Sequence, residues 1–254
     1  TANLSGWGGS ATATMTDTTA CGGTASNGIW EACYTILGSE GIDGTNVNVT
    51  VNATDTATNN RANADTTNAT VDTVVPTVTT ANVSVTGASG TSGAFKNADT
   101  AVGRWNNSGT GDNNTDTIAS VNFNAGSFRT GDTALSGSVA SGIYTASLSG
   151  AMTSQDDTLN NITVTVVDNA GNSTATVGTN NYTIDTILPT LTGTNITVTG
   201  CTGTSGACKN ADPGVARLDN SATGDNNSDT IASVTFNGSS FDDGSSSLSG
   251  SVAS

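Results

Sequence analysis

The sequence predicts an all-β protein laid out as a row of independently folding domains, each roughly 100 residues long. Three observations predict it. Short runs alternate apolar residues with Ser, Thr and Asn, clusters of Gly, Asn, Asp and Ser separate those runs without any sustained helical pattern, and the sequence repeats itself 113 positions on.

The alternating runs are "NVSVTG" at 82–87, "IASVNF" at 118–123 and "ITVTVV" at 162–167. Successive side chains of a strand point to opposite faces, so each run builds a half-buried strand. "DNAGN" at 168–172 follows the third run and reads as a hairpin turn in which Gly171 supplies the positive φ. Leu, Ile, Val and Phe make up under a fifth of the chain and the net charge is -15, values that alone would suit a disordered polypeptide. The alternation argues for a folded one with a thin core of Val, Ile, Ala and Thr methyls and few aromatics.

"TGDNNTDTIASVNF" at 110–123 returns as "TGDNNSDTIASVTF" at 223–236. The same offset of 113 pairs Asp72 with Asp185, Pro76 with Pro189, Lys96 with Lys209, Asp99 with Asp212 and Leu135 with Leu248, and no gap is needed from Val71 to Ser254. Run backwards, it sets Asp55 on Asp168 and Asn68 on Asn181. Such a period is too long for one coil of a solenoid and suits a domain. Residues 1–70 are then the back half of one repeat, 71–183 a complete repeat, and 184–254 the front half of a third.

Charge excludes several function classes. Only six Lys or Arg stand against 21 acids, so no basic patch exists to neutralise phosphates, and neither nucleic acid nor an anionic membrane surface is an expected partner. No apolar run is long enough for direct membrane insertion. There is no His to act as a general base, and no apolar cleft is suggested that would raise a carboxyl pKa, so no catalytic residue is expected.

The four cysteines form two close pairs, Cys21 with Cys33 and Cys201 with Cys208. Ala88 and Phe95 occupy the positions of Cys201 and Cys208 in the complete repeat, so both members of that pair are present in one copy and absent in the other, as a disulfide requires. Two Cys without any His leave a zinc ligand set incomplete. Disulfides imply an oxidising compartment such as the cell exterior.

"VDTVVPTV" and "IDTILPTL" at the repeat starts, "GDNNTDTIASVNF" in mid-repeat, "GIYTASLSG" and "VDNAGNS" resemble the tandem bacterial immunoglobulin-like repeats of large secreted adhesins and biofilm surface proteins. The resemblance implies seven-stranded Greek-key β-sandwiches in an elongated array, an extracellular or cell-surface location, a spacing or adhesive role, and calcium at Asp-rich loops and domain junctions. One departure from the pattern is an insertion from about Trp7 to Asn27, which contains Cys21 and brings Trp7 and Trp30 to one loop.

Nineteen of the 21 acids are Asp, a bias toward short side chains that suits both turns and hard cations. In "DNNTD" the oxygens at positions 1, 3 and 5 resemble the opening of a calcium loop, without the Gly and Glu that complete an EF-hand. Asp72, Asp99, Asp112 and Asp116 recur as Asp185, Asp212, Asp225 and Asp229, and these eight are the candidate Ca2+ ligands; as turn and strand-end residues they would recur equally well.

The expected function is structural: a spacer segment of a long extracellular surface protein, stiffened by calcium, whose partners are the neighbouring repeats. The alternative arises from "LSG" at Leu4 and again at Leu248, which places both ends of the sequence at one phase of the repeat. Identical subunits could then polymerise head to tail into an extracellular filament, each completing its neighbour's half-domain. No receptor or glycan is identified.

Overall fold

The computed structural model describes residues 1–16, 21, 28–148, 151–152, 156–241 and 247–250. The chain divides into two compact units, Thr1–Thr186 and Ile187–Ser254. Residues 1–70 and 71–183 both belong to the first unit, and 184–254 to the second apart from its first three residues.

All regular structure among the described residues is strand, with a few single 3-10 turns and no α-helix. The first stretch contains β1 (Ala2–Asn3), β2 (Asp43–Val47), β3 (Thr50–Thr54), β4 (Asn60–Ala64) and β5 (Ala69–Asp72). Here β3 lies between β1 and β4 in one antiparallel sheet, and β2 pairs with β5 in another.

The central stretch begins with β6 (Val83–Thr86), β7 (Phe95–Lys96), β8 (Val102–Asn106), β9 (Ile118–Asn124), β10 (Arg129–Thr130) and β11 (Leu135–Ser136). It continues through β12 (Ser138–Ala140), β13 (Ile143–Ser147), β14 (Ala151–Met152), β15 (Asp156–Asn160), β16 (Thr163–Asp168), β17 (Ser173–Val177) and β18 (Tyr182–Asp185). Two four-stranded antiparallel sheets result, in the orders β12-β13-β8-β6 and β11-β9-β16-β17. Each presents its alternate apolar residues to a shared core: Val83, Val85 and Trp105 from the first sheet, Val121, Phe123, Val164 and Val166 from the second. This arrangement is that of a β-sandwich. The three predicted runs fall on β6, β9 and β16, and the predicted turn at 168–172 joins β16 to β17 with Gly171 at φ 95°.

The core is richer in aromatic rings than the expected thin packing of Val, Ile, Ala and Thr methyls with few aromatics. Phe95, Phe123, Phe128 and Trp105 are all fully buried, and Phe95 meets Phe128 edge to face with ring centroids 5.6 Å apart. Tyr182 packs against both of these Phe rings, and Tyr144 stacks on Trp105 at 5.2 Å. Aromatics are scarce in the chain but concentrated here, and each buries far more surface than a Val. Composition averaged over the whole chain hides that concentration.

The second unit contains β19 (Ile196–Thr199) paired with β20 (Val215–Leu218), and β21 (Thr235–Phe236) paired with β22 (Leu248–Ser249). Strand pairings follow the 113-residue spacing of the sequence. The pair Asp43↔Asp72 reappears as Asp156↔Asp185, Thr54↔Asn60 as Val167↔Ser173, Val83↔Trp105 as Ile196↔Leu218, and Phe123↔Leu135 as Phe236↔Leu248.

Candidate functional site

The repeated "GDNN" loop follows β8 and faces the extended segment that precedes β6. Asp112 accepts hydrogen bonds from Thr79 N (3.1 Å), Thr79 Oγ1 (2.6 Å), Asn82 Nδ2 (2.7 Å) and Trp105 Nε1 (2.7 Å). Asn114 accepts from Thr77 N at 2.7 Å and donates through Nδ2 to Thr77 O at 2.9 Å. A carboxamide thereby makes the pair of bonds that a neighbouring strand would make. Asn107 Oδ1 orients this clamp by accepting from both Asn114 N and Asn114 Nδ2. Burial pushes the Asp112 carboxyl up, but the bonds from Thr79, Trp105 and Asn82 outweigh it and hold the group below the ordinary carboxylate value.

The second copy of the loop does the same work. Asn227 brackets Thr190 at 2.6 and 3.0 Å, and Asp225 accepts from Thr192 N and Asn195 Nδ2. Leu218 stands where Trp105 stands in the first copy, so Asp225 has no indole donor. Hydrogen bonds from Thr192 and Asn195 lower its pKa.

Asp99 and Asp212 close a different turn. Asp99 accepts from Ser89 Oγ, Ser89 N (3.0 Å) and Lys96 N (3.0 Å), and Asp212 from Thr202 Oγ1 (2.5 Å), Thr202 N (2.8 Å) and Lys209 N (2.9 Å). Both carboxyls are held below their ordinary value, Asp99 chiefly by Ser89 and Asp212 chiefly by the Lys209 amide. The Cys201–Cys208 disulfide staples this turn in the second unit. Its counterpart in the first is the buried Phe95, so a covalent bond holds the turn where an aromatic anchor is missing. The Cys21–Cys33 disulfide is also formed, and the two bridges together point to an oxidising environment. Of the insertion expected at 7–27, residues 17–20 and 22–27 lie outside the described residues; Trp7 is partly buried and Trp30 is 61% exposed. No helix among the described residues is long and apolar enough to cross a membrane.

The charges of three other carboxylates act on Asp116 where the first stretch meets the central one. Asp43 and Asp72 sit opposite each other on β2 and β5. Asp168, buried at the end of β16, accepts from Ala170 N (2.9 Å), Asn172 N (2.9 Å) and Asn172 Nδ2 (3.0 Å). Asp116 completes the group: its carboxyl is pushed up first by burial, then by the charges of Asp43, Asp72 and Asp168. Asn172 Nδ2 also reaches the carbonyls of Asp72 (3.3 Å) and Val74 (3.4 Å).

Of the eight predicted ligands, Asp99, Asp112, Asp212 and Asp225 thus have their oxygens engaged by N–H and O–H donors, while Asp72 and Asp116 lie within range of each other's charge. Asp185 lies opposite Asp156 in the β15/β18 ladder, and Asp229 follows the second "GDNN" loop. Among the described residues, no group of three or more His, Cys, Asp or Glu is gathered closely enough to hold a metal ion. Asp43 and Asp168 were missed as members of the acidic group. Asp43 recurs as Asp156 at the 113-residue spacing, a signal that marked it. No family model, curated protein or solved structure matches the chain.

Proposed function

We propose that this chain is a spacer segment of a long extracellular surface protein, assembled from tandem immunoglobulin-like Greek-key sandwiches. The observation that carries the reading is the treatment of the linker at 72–79. Thr73 is tied back to the first stretch through its N–H to Ile42 O (2.7 Å) and its Oγ1 from Ile42 N (2.8 Å). The rest is tied to the central stretch: Asp72 and Val74 by Asn172, Thr77 by Asn114, Val78 by Thr176 Oγ1 (2.9 Å), and Thr79 by Asp112. A linker whose peptide groups are bonded on both sides transmits orientation from one module to the next, and that is the property a stalk needs.

Calcium enters this reading only as a counterion at the joint, where the charges of Asp43, Asp72 and Asp168 act on Asp116 and a divalent cation nearby would relieve them. The residues present do not form a chelating site: no group of three or more carboxylates among the described residues is gathered closely enough to hold an ion, and Asp72, Asp99, Asp112, Asp168, Asp212 and Asp225 already accept N–H donors.

Amide hydrogen exchange across residues 73–79 of the intact chain tests the stiff joint. Protection comparable to that of β9 and β16 is expected, and exchange at the rate of an exposed loop overturns the reading. The calcium proposal is checked by thermal unfolding in chelator and in millimolar calcium; coincident curves discard it.

A further inference from the structure

Thirteen Asn-x-Ser/Thr sequences occur in the chain, each the acceptor sequence of an N-linked glycan, and the fold engages all but two of them. A sugar at such a site needs a carboxamide that the fold does not use and, two residues on, a hydroxyl that the transferring enzyme can reach. The Nδ2 groups of Asn48, Asn82, Asn161, Asn172 and Asn195 are spent as donors to Asn68, Asp112, Asn181, Asp168 and Asp225 respectively. Asn68 and Asn181 are the acceptors of two of those bonds. In Asn3, Asn106 and Asn237 the Ser hydroxyl of the same acceptor sequence is turned onto Oδ1, at 2.7 Å each time. The Oδ1 of Asn52 is buried.

Asn113 and Asn226 remain, and they occupy the same position of the repeat, on the "GDNN" loop. Both are exposed, as are the hydroxyl residues that follow them, Thr115 in one copy and Ser228 in the other. Among the described residues none of these four side chains has a hydrogen-bond partner. Backbone conformation explains part of this: the two Asn have φ of 50° and 46°, the left-handed region that Asn tolerates. It does not call for a hydroxyl two residues on, yet the change from Thr115 to Ser228 keeps one. We propose that Asn113 and Asn226 carry N-linked glycans, one on each copy of the loop. In the transfer Nδ2 attacks the anomeric carbon of a sugar held on a polyprenyl diphosphate. The C–N bond forms, the C–O bond breaks with its electron pair leaving on the diphosphate, and an amide proton passes to a base of the transferring enzyme. The assignment rests on the extracellular reading above, because such donors are used on the non-cytosolic face of a membrane, where disulfides also persist. At the bonded asparagines a glycan would take a proton from an amide that the fold uses, or displace its partner; at Asn113 and Asn226 it costs no bond. Each sugar would stand one residue from the Asn that clamps Thr77 or Thr190.

Mass spectrometry of the chain recovered from the cells that make it, intact and as glycopeptides, tests the assignment. Masses spaced by sugar residues are expected on the peptides that hold Asn113 and Asn226, and unmodified asparagine at the other eleven acceptor sequences. Thr115→Ala and Ser228→Ala alter exposed side chains that make no hydrogen bond, so the fold is kept, and each is expected to remove one glycan from the intact mass while amide exchange across 102–124 stays unchanged. A chain unmodified at both loops, a sugar that survives Thr115→Ala and Ser228→Ala, or a glycan on Asn82 or Asn195 overturns the proposal. The state of the cysteines in the same sample shows how far a failure reaches. An unmodified chain with both disulfides formed refutes the glycans alone, and one with reduced cysteines refutes the extracellular reading as well.

Discussion

Replacing Asp112 by Ala removes the acceptor for four donors at once. Thr79 and Asn82 lie near the surface and can turn to water, so their loss is largely recovered. The indole of Trp105 cannot, because that residue is fully buried. A hydrogen bond to a charged group contributes about 1.5–3 kcal/mol, and a buried donor left unpaired costs about 1–3 kcal/mol. The two figures describe the same loss from two sides, so the expected destabilisation is about 3 kcal/mol rather than their sum. Asp225→Ala provides the internal control: its loop is the same, but Leu218 replaces the Trp, and a much smaller loss is expected. The two units can unfold separately, so a single global transition would confuse them. Hydrogen exchange read on peptides covering 102–124 and 215–236 keeps them apart. The pH dependence carries a sign as well. The Asp112 pKa is depressed in the folded state, so its stabilisation is present above the ordinary carboxylate value and lost as pH falls through the folded one. The gap between wild type and Asp112→Ala should therefore close below about pH 4. Equal losses in the two loops, or a loss under about 1 kcal/mol in the first, would refute the role assigned to the Trp105 bond.

Two further outcomes are expected. Reduction of Cys201–Cys208, or Cys201→Ser with Cys208→Ser, removes a staple across a separation of seven residues worth about 2.5 kcal/mol in loop-closure entropy; exchange should rise in 187–241 and stay unchanged in 71–148. Asp116→Asn removes a charge whose folded-state pKa is raised, a group that costs stability as pH rises through that pKa, so the variant should be the more stable at neutral pH without calcium and indistinguishable from wild type once Asp116 is protonated. Urea midpoints at low and at high salt check it, since screening should shrink the difference.

Strand positions and the turn at 168–172 were legible because their causes are local. Alternation at 82–87, 118–123 and 162–167 needs only neighbouring residues, and a Gly at positive φ marks its own turn. The aspartates were harder. A carboxylate that binds a cation and one that binds peptide N–H groups share the same short side chain, and the partners that decide between them lie far away in sequence, Thr79 and Asn82 for Asp112, Asp43 for Asp72. The two-residue β7, which runs parallel to β18 with Ile184 beside Phe95, is too short to show any period. Its function as a seat for the buried Phe95 ring appears only in three dimensions.

The clamp at Thr77 has a consequence for how such joints can change. Asn114 touches only the N–H and C=O of that residue, groups that every amino acid except proline offers in the same place. Side-chain replacements at 77 should therefore pass unnoticed while Pro should not, and the same holds at Thr190 facing Asn227. The loop recognises a backbone rather than a sequence. One loop could then seat many different linkers, and an array could exchange the text of its connectors without redrawing the angle between its modules.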